Sequence, residues 1–141
     1  MFVKLAIYSN IMNKHVIIIA SVFGMLAVIL GAFGAHALKS LIDPAGLEVW
    51  KTAVSYHFYH TLALLFVSTF PASKGRAVNL AAWFFSIGIL LFSGSLYLIS
   101  AKEILNISQL SVLGPVTPIG GLFFILGWIS LIFVALKSIN A

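Results

Sequence analysis

The sequence predicts an all-α polytopic membrane protein, an antiparallel bundle of four transmembrane helices. Three observations carry that expectation. Of 141 residues, 62% are hydrophobic and only 8% charged, against roughly 25% charged in soluble domains. The charged side chains delimit four uncharged runs, His15–Leu38, Thr52–Ser73, Ala77–Ala101 and Ile104–Leu136. Each run exceeds the roughly 18 apolar residues that mark a bilayer-crossing helix.

Residues 1–15 read as an N-terminal extension, with Met12-Asn13-Lys14 resembling a natural start, and residues 16–137 as one transmembrane domain. The first span is expected over 16–38. Its sequence imitates a secretory signal ending at Ala35-His36-Ala37, but the apolar run outlasts a signal core of about 7–15 residues. Pattern alone leaves both retention and cleavage open. Small residues at Gly24, Ala27, Gly31 and Ala35 mark a helix-packing face, either within one chain or between two copies.

Asp43-Pro44 places a side-chain acceptor before proline, a helix-start signal. A helix from Pro44 is expected to run through Trp50 into the second span, 53–70, and to stop before Pro71. At about 40 Å it outruns a hydrocarbon core of about 30 Å. Its first turns therefore belong among the headgroups, with Trp50 as an interfacial anchor.

Pro71–Gly75 reads as a short turn, and the third span, 78–100, follows Arg76. Gly114-Pro115 and Pro118 break the last run. A surface or partly re-entrant segment is expected over Ile104–Leu113 and a fourth span over 119–136, with Gly120 and Gly121 as further packing positions. Asn106-Ile107-Ser108 matches a glycosylation sequon, a pattern too short to carry weight.

With four spans, Lys4, Lys14, Lys74, Arg76 and Lys137 share one side. Lys39, Lys51 and Lys102 share the other with all three acids, Asp43, Glu48 and Glu103. The positive-inside rule then predicts that both termini are cytoplasmic. The absence of cysteine excludes disulfides, thiolate metal sites and lipoprotein anchors. A net charge of +5 is spread singly along the chain rather than gathered in a stripe, so nucleic acid is not expected as a partner. The expected partners are the lipid bilayer, a second copy, or other membrane proteins.

The predicted topology gathers the polar side chains in one leaflet, away from the N-terminus: His36, Trp50, Tyr56, His57, His60, Ser93, Tyr97 and Thr117. His57 and His60 share a helix face with Ala53, Leu64 and Ser68, while Ser86, Ser93 and Ser100 recur every seven residues with Tyr97. Interhelical hydrogen bonding, at about 0.6 kcal/mol per contact, is the first expectation for this cluster. A recess for a lipid headgroup, quinone or other small amphiphile is the second, with Trp50, Tyr56, Phe58 and Tyr59 as aromatic walls. A metal site and proton transfer rank lower. His-x-x-His without carboxylates or cysteines is a weak ligand set, and no carboxylate lies in any span to complete an acid–base pair. No catalytic residue, metal ligand or cofactor is assigned, and a midplane without ionisable groups argues against a pump or channel.

Several motifs carry a resemblance. They are Gly31-Ala32-Phe33-Gly34-Ala35-His36-Ala37-Leu38, Trp50-Lys51-Thr52-Ala53, Tyr56-His57-Phe58-Tyr59-His60-Thr61-Leu62-Ala63-Leu64, Phe92-Ser93-Gly94-Ser95-Leu96-Tyr97, and Thr117-Pro118-Ile119-Gly120-Gly121 followed by Gly127-Trp128. In this order they resemble the domain of unknown function 423 family, the YgdD-like bacterial membrane proteins, which is similar to transmembrane protein 256 of eukaryotes. The resemblance covers Met12 to Leu136. It implies an uncleaved first helix and four spans, makes Met1–Ile11 an addition to the family's usual start, and brings no activity, substrate or catalytic residue.

Overall fold

A computed structural model describes residues 12–70, 75–107 and 113–139. The extension to Ile11, the Pro71–Lys74 turn and residues 108–112 of the expected re-entrant segment lie outside the described residues. All regular structure among the described residues is helical.

Helix α1 (Lys14–His36) starts where the Asn13 side chain accepts the Val16 amide, and a single 3-10 turn (Leu38–Ser40) follows it. Helix α2 (Pro44–Ser68) starts as the sequence indicates. The Asp43 carboxylate accepts the Gly46 amide at 2.6 Å, and Pro44 occupies the first turn, where its missing N–H has no intrahelical partner to lose. Helix α3 (Arg76–Ser100) follows Gly75, whose φ of 102° suits glycine. It runs as α-helix over Arg76–Gly88, as π-helix over Ile89–Ser93 and as α-helix again over Gly94–Ser100. Residues 101–106 turn back, and helix α4 occupies Val116–Ile139.

Several features differ from the sequence expectation: α1 is Lys14–His36 rather than 16–38, and α3 begins at Arg76 rather than 78. Helix α4 begins at Val116, not 119, because Pro118 falls in the first turn, where proline breaks no hydrogen bond. The π-helical stretch has no signature in hydropathy and was not anticipated.

The helices are antiparallel in sequence order. The Asn13 amide donates to the Ser68 carbonyl at 2.9 Å, joining the start of α1 to the end of α2. The Ser100 hydroxyl donates to the Gly46 carbonyl at 2.6 Å, joining the end of α3 to the start of α2. The largest interface is α3 on α4, and α2 packs about equally against α1 and α3. Leu64, Val67, Val78 and Phe85 are fully buried at the centre, with Phe124 and Val134 closing the core from α4. Large apolar side chains such as Met25, Val28, Trp83, Leu90 and Ile132 point outward.

Three helical stretches are long and apolar enough to cross a membrane: Lys14–Ser40, Arg76–Ser100 and Val116–Leu136. Helix α2 stands outside that group because Tyr56, His57, Tyr59, His60 and Thr61 lower its hydropathy. Yet it is the helix that touches all the others. Its buried face carries Trp50, Ala53, His57, His60, Thr61, Leu64 and Ser68, so most of its polarity faces protein.

Candidate functional site

The polar side chains named from the sequence lie toward one end of the bundle, but they divide into separate pairs. Between α1 and α2, the buried Trp50 indole N–H donates to the Leu30 carbonyl at 2.9 Å. The ring lies where a Cβ on Gly34 would stand, 2.5 Å from its Nε1. Glycine at that position is what admits the indole. Phe33 and Tyr97 flank it, with centroids 5.8 and 4.7 Å away.

Between α2 and α3, His57 Nδ1 lies 3.2 Å from the Tyr97 hydroxyl. The same imidazole meets the Phe23 ring edge-on at 5.7 Å, so it touches α1 as well. Its Nε2 and the Oγ of Ser93 are buried without a hydrogen-bond partner. Ser93 closes the π-helical stretch, where the Ile89 carbonyl is taken by the Gly94 amide.

Between α2 and α4, His60 stacks on Phe124 at 3.4 Å and 6°. Its Nδ1 faces the Tyr56 carbonyl at 2.8 Å, and a carbonyl only accepts, so Nδ1 carries the proton. Nε2 is then free to accept the Trp128 indole N–H at 3.4 Å. The proton of Ser95 is likewise placed: it goes to the Phe92 carbonyl at 2.9 Å, leaving Thr117 to donate to Ser95 at 2.7 Å between α3 and α4. Immediately below this pair, Gly120 rests on the Phe92 backbone.

Three of the sequence-named residues do not join these pairs: Ser93, His36 and Tyr56. His36 is exposed at the end of α1. Tyr56 is 41% exposed and contributes its ring, 4.7 Å from Phe92, and its backbone carbonyl to His60. Phe58 and Tyr59, expected as walls, also face outward, at 40% and 61% exposure. Phe92, Phe124 and Trp128 form the aromatic surface instead. With Tyr56, His60 and Pro118 they bound an open groove of about 610 Å³.

Among the packing positions, Ala27 is buried, and Gly24 and Gly31 face Thr61 and Val54 of α2. Ala35 is exposed, and Gly34 takes its place. A strict spacing of four drifts off a face that repeats every 3.6 residues, so the contact steps from Gly31 to Gly34.

Sequence reasoning missed Trp128, Phe124 and the Leu30 carbonyl as partners. Phe124 and Trp128 are one turn apart on α4, an aromatic pair at helical spacing that points to a shared face. Nothing in the sequence singles out a backbone carbonyl. Among the described residues, no group of three or more His, Asp or Glu is placed to hold a metal ion. No carboxylate orients either buried histidine, so the arrangement lacks the third member of a nucleophile–base relay. What it supplies is five helix-to-helix hydrogen bonds, two unpartnered polar atoms and an aromatic groove.

Fold and site together define an α-helical membrane protein whose polar groups are held mainly between helices. The chain belongs to the family described as protein of unknown function, DUF423, whose profile matches residues 30–121. It is 46% identical over 127 residues to the UPF0382 membrane protein YwdK of Bacillus subtilis (strain 168), covering 88% of this chain and 98% of that protein. A UPF0382 membrane protein of Staphylococcus aureus (strain bovine RF122 / ET3-1) is 45% identical over 124 residues, covering 88% and 97%. One of Staphylococcus haemolyticus (strain JCSC1435) is 40% identical over 127 residues, covering 90% and 99%. No solved structure matches the chain.

Proposed function

We propose that all four helices cross the plasma membrane of a bacterium as an antiparallel bundle with both termini cytoplasmic, serving as a structural or accessory protein that packs against lipid, a second copy or other membrane proteins. The observation that carries this reading is where the polar atoms go. Trp50, His57, Trp128, Ser95 and Ser100 each bond across a helix interface. Polar groups at membrane depth face the protein interior, and α2 hides its histidines in that way. At 25 residues, or about 37 Å, α2 is long enough to cross beside its neighbours.

The chain has no cysteine, so single cysteines report accessibility without background. Positions 75 and 41 are expected to label from opposite sides of spheroplast membranes, and labelling from the same side refutes the four-span arrangement. For the structural role, His57→Ala and His60→Ala are expected to lower the unfolding midpoint in detergent.

A second reading, a binding module for a lipid-like amphiphile or a metal at the His/Tyr/Ser cluster, is favoured by the groove beside His60 and by the unpartnered His57 Nε2 and Ser93 Oγ. Native mass spectrometry of the wild type against the His36/His57/His60 triple alanine variant separates the two. A stoichiometric adduct lost from a folded variant supports the binding module, and no adduct in either supports the structural role.

A further inference from the structure

At the other end of the bundle, α1 and α3 part to leave a cleft of about 380 Å³. Its walls are apolar, with Val16, Ile19 and Phe23 from α1, Leu64 from α2, and Ala82 and Trp83 from α3. Ile19 and Trp83 are 42% and 67% exposed, so the cleft opens sideways onto the surface that faces lipid. Polar groups occur along its rim: Asn13, His15, Asn79 and Ser86. The Asn13 side chain is engaged with the Val16 amide, and the Ser86 hydroxyl with the Ala82 carbonyl. His15 and Asn79 are exposed.

Among the described residues, the ionised side chains at this end of the bundle are all cations. Lys14 precedes His15, and Arg76 lies one turn before Asn79 on the same helix face. Helices α1 and α3 both begin here and α2 ends beside them, so the helix dipoles largely offset one another and the net charge comes from the side chains. The first turn of α3 has no side-chain cap on its amides. The three acids of the chain, Asp43, Glu48 and Glu103, all lie at the opposite end. A cleft shaped for a hydrocarbon tail thus ends in a cationic mouth with no acidic side chain among the described residues to neutralise it.

We propose that this cleft binds one anionic phospholipid, an acyl chain lying between α1 and α3 and the phosphate beside His15 and Arg76, with Lys14 adding positive charge at the same height. Charge complementarity selects the lipid: a zwitterionic headgroup brings its own cation to the same mouth. Basic recesses between membrane helices recognise anionic headgroups in this way. The site is separate from the His/Tyr/Ser cluster and does not depend on what that cluster does.

The test is native mass spectrometry of the full chain in detergent, titrated with dioleoylphosphatidylglycerol or dioleoylphosphatidylcholine, which share their acyl chains. The wild type is expected to retain one phosphatidylglycerol in preference to phosphatidylcholine. Each cation removed is expected to weaken that lipid about fivefold, so Lys14→Gln with Arg76→Gln lowers its affinity about 30-fold, toward that of phosphatidylcholine. Lys39→Gln with Lys102→Gln, which removes the same charge from the far end, is expected to change nothing. Ile19→Trp fills the cleft and is expected to weaken both lipids. If that variant melts below the wild type, Ser86→Leu, which fills the cleft from α3, decides. Equal binding of the two lipids by the wild type, equal losses in the two double variants, or unchanged binding with a folded, filled cleft would each overturn the proposal.

Discussion

Gly120 and Gly121 are neighbours on α4, yet the structure gives them opposite tolerance for a methyl group. A Cβ on Gly120 would stand 2.7 Å from the Cα of Phe92, and backbone cannot swing aside as a side chain does. A Cβ on Gly121 would stand 3.7 Å from the Phe92 ring, an ordinary van der Waals contact. Replacing glycine by alanine within a helix gains about 0.8–1 kcal/mol of propensity at either site. Overpacking a close contact costs typically 1–3 kcal/mol. A backbone overlap of about 1 Å belongs at the upper end of that range, because α4 as a whole must move from α3. Gly120→Ala is therefore expected to lose about 2 kcal/mol net, and Gly121→Ala to gain about 1 kcal/mol. The propensity gain is common to both, so their difference, about 3 kcal/mol, isolates the contact. Equilibrium unfolding in mixed detergent micelles, followed by circular dichroism, measures it. If the two variants unfold within about 0.5 kcal/mol of each other, the close approach of α4 to the π-helical turn is not what holds this interface.

Three further outcomes are expected. Trp50→Phe keeps a ring against Gly34 but removes the bond to the Leu30 carbonyl, for a loss of about 0.6–1.7 kcal/mol; Trp50→Ala also empties the site and is expected to lose about 3–5 kcal/mol, both read from unfolding midpoints. A double-mutant cycle of Ser95→Ala and Thr117→Val is expected to show coupling of about 0.5–1.5 kcal/mol, whereas the same cycle on Ser86 and Thr117, which do not touch, is expected to show none. His36→Ala, at an exposed helix end, is expected to leave the unfolding midpoint unchanged while His57→Ala lowers it, and equal effects would contradict the separation of the polar residues into pairs.

What the sequence discloses is governed by period and by punctuation. Asp43-Pro44 announces the start of α2 because cap chemistry is local, and the buried stripe Ala53, His57, His60, Leu64 and Ser68 follows from helical spacing. The gathering of polar residues toward one end follows from antiparallel order alone. Which of them meet does not follow. His60 pairs with Trp128 across 68 positions, and that partner depends on how α4 is rotated about its axis. Rotation is set by close approaches such as Gly120 on Phe92, which a pattern of small residues suggests but does not aim. The π-helical stretch is the largest omission. A π turn carries one more residue than an α turn, so it advances the last two turns of α3 around the axis. Ser86, Ser93 and Ser100, on one face of an ideal helix, consequently meet three different surroundings: the Ala82 carbonyl, no partner, and the Gly46 carbonyl of α2.

The pairing of α1 with α2 and of α3 with α4 has a bearing on how the chain is made. Each new helix finds the one made just before it waiting: α2 packs on α1, α3 on α2 to about the same extent, and α4 on α3. The bond from Trp50 to Leu30 spans only 20 positions, and every group it needs has been synthesised before Arg76 exists. The first hairpin can therefore close while the second is still being translated, and the second closes on partners of its own, such as Ser95 and Thr117. Local partners favour fast assembly, and α2, once closed on α1, still has His57, His60 and the Gly46 carbonyl to offer α3 and α4 as they follow. A chain cut between Ser68 and Gly75 and expressed as two pieces would have the same two hairpins to join.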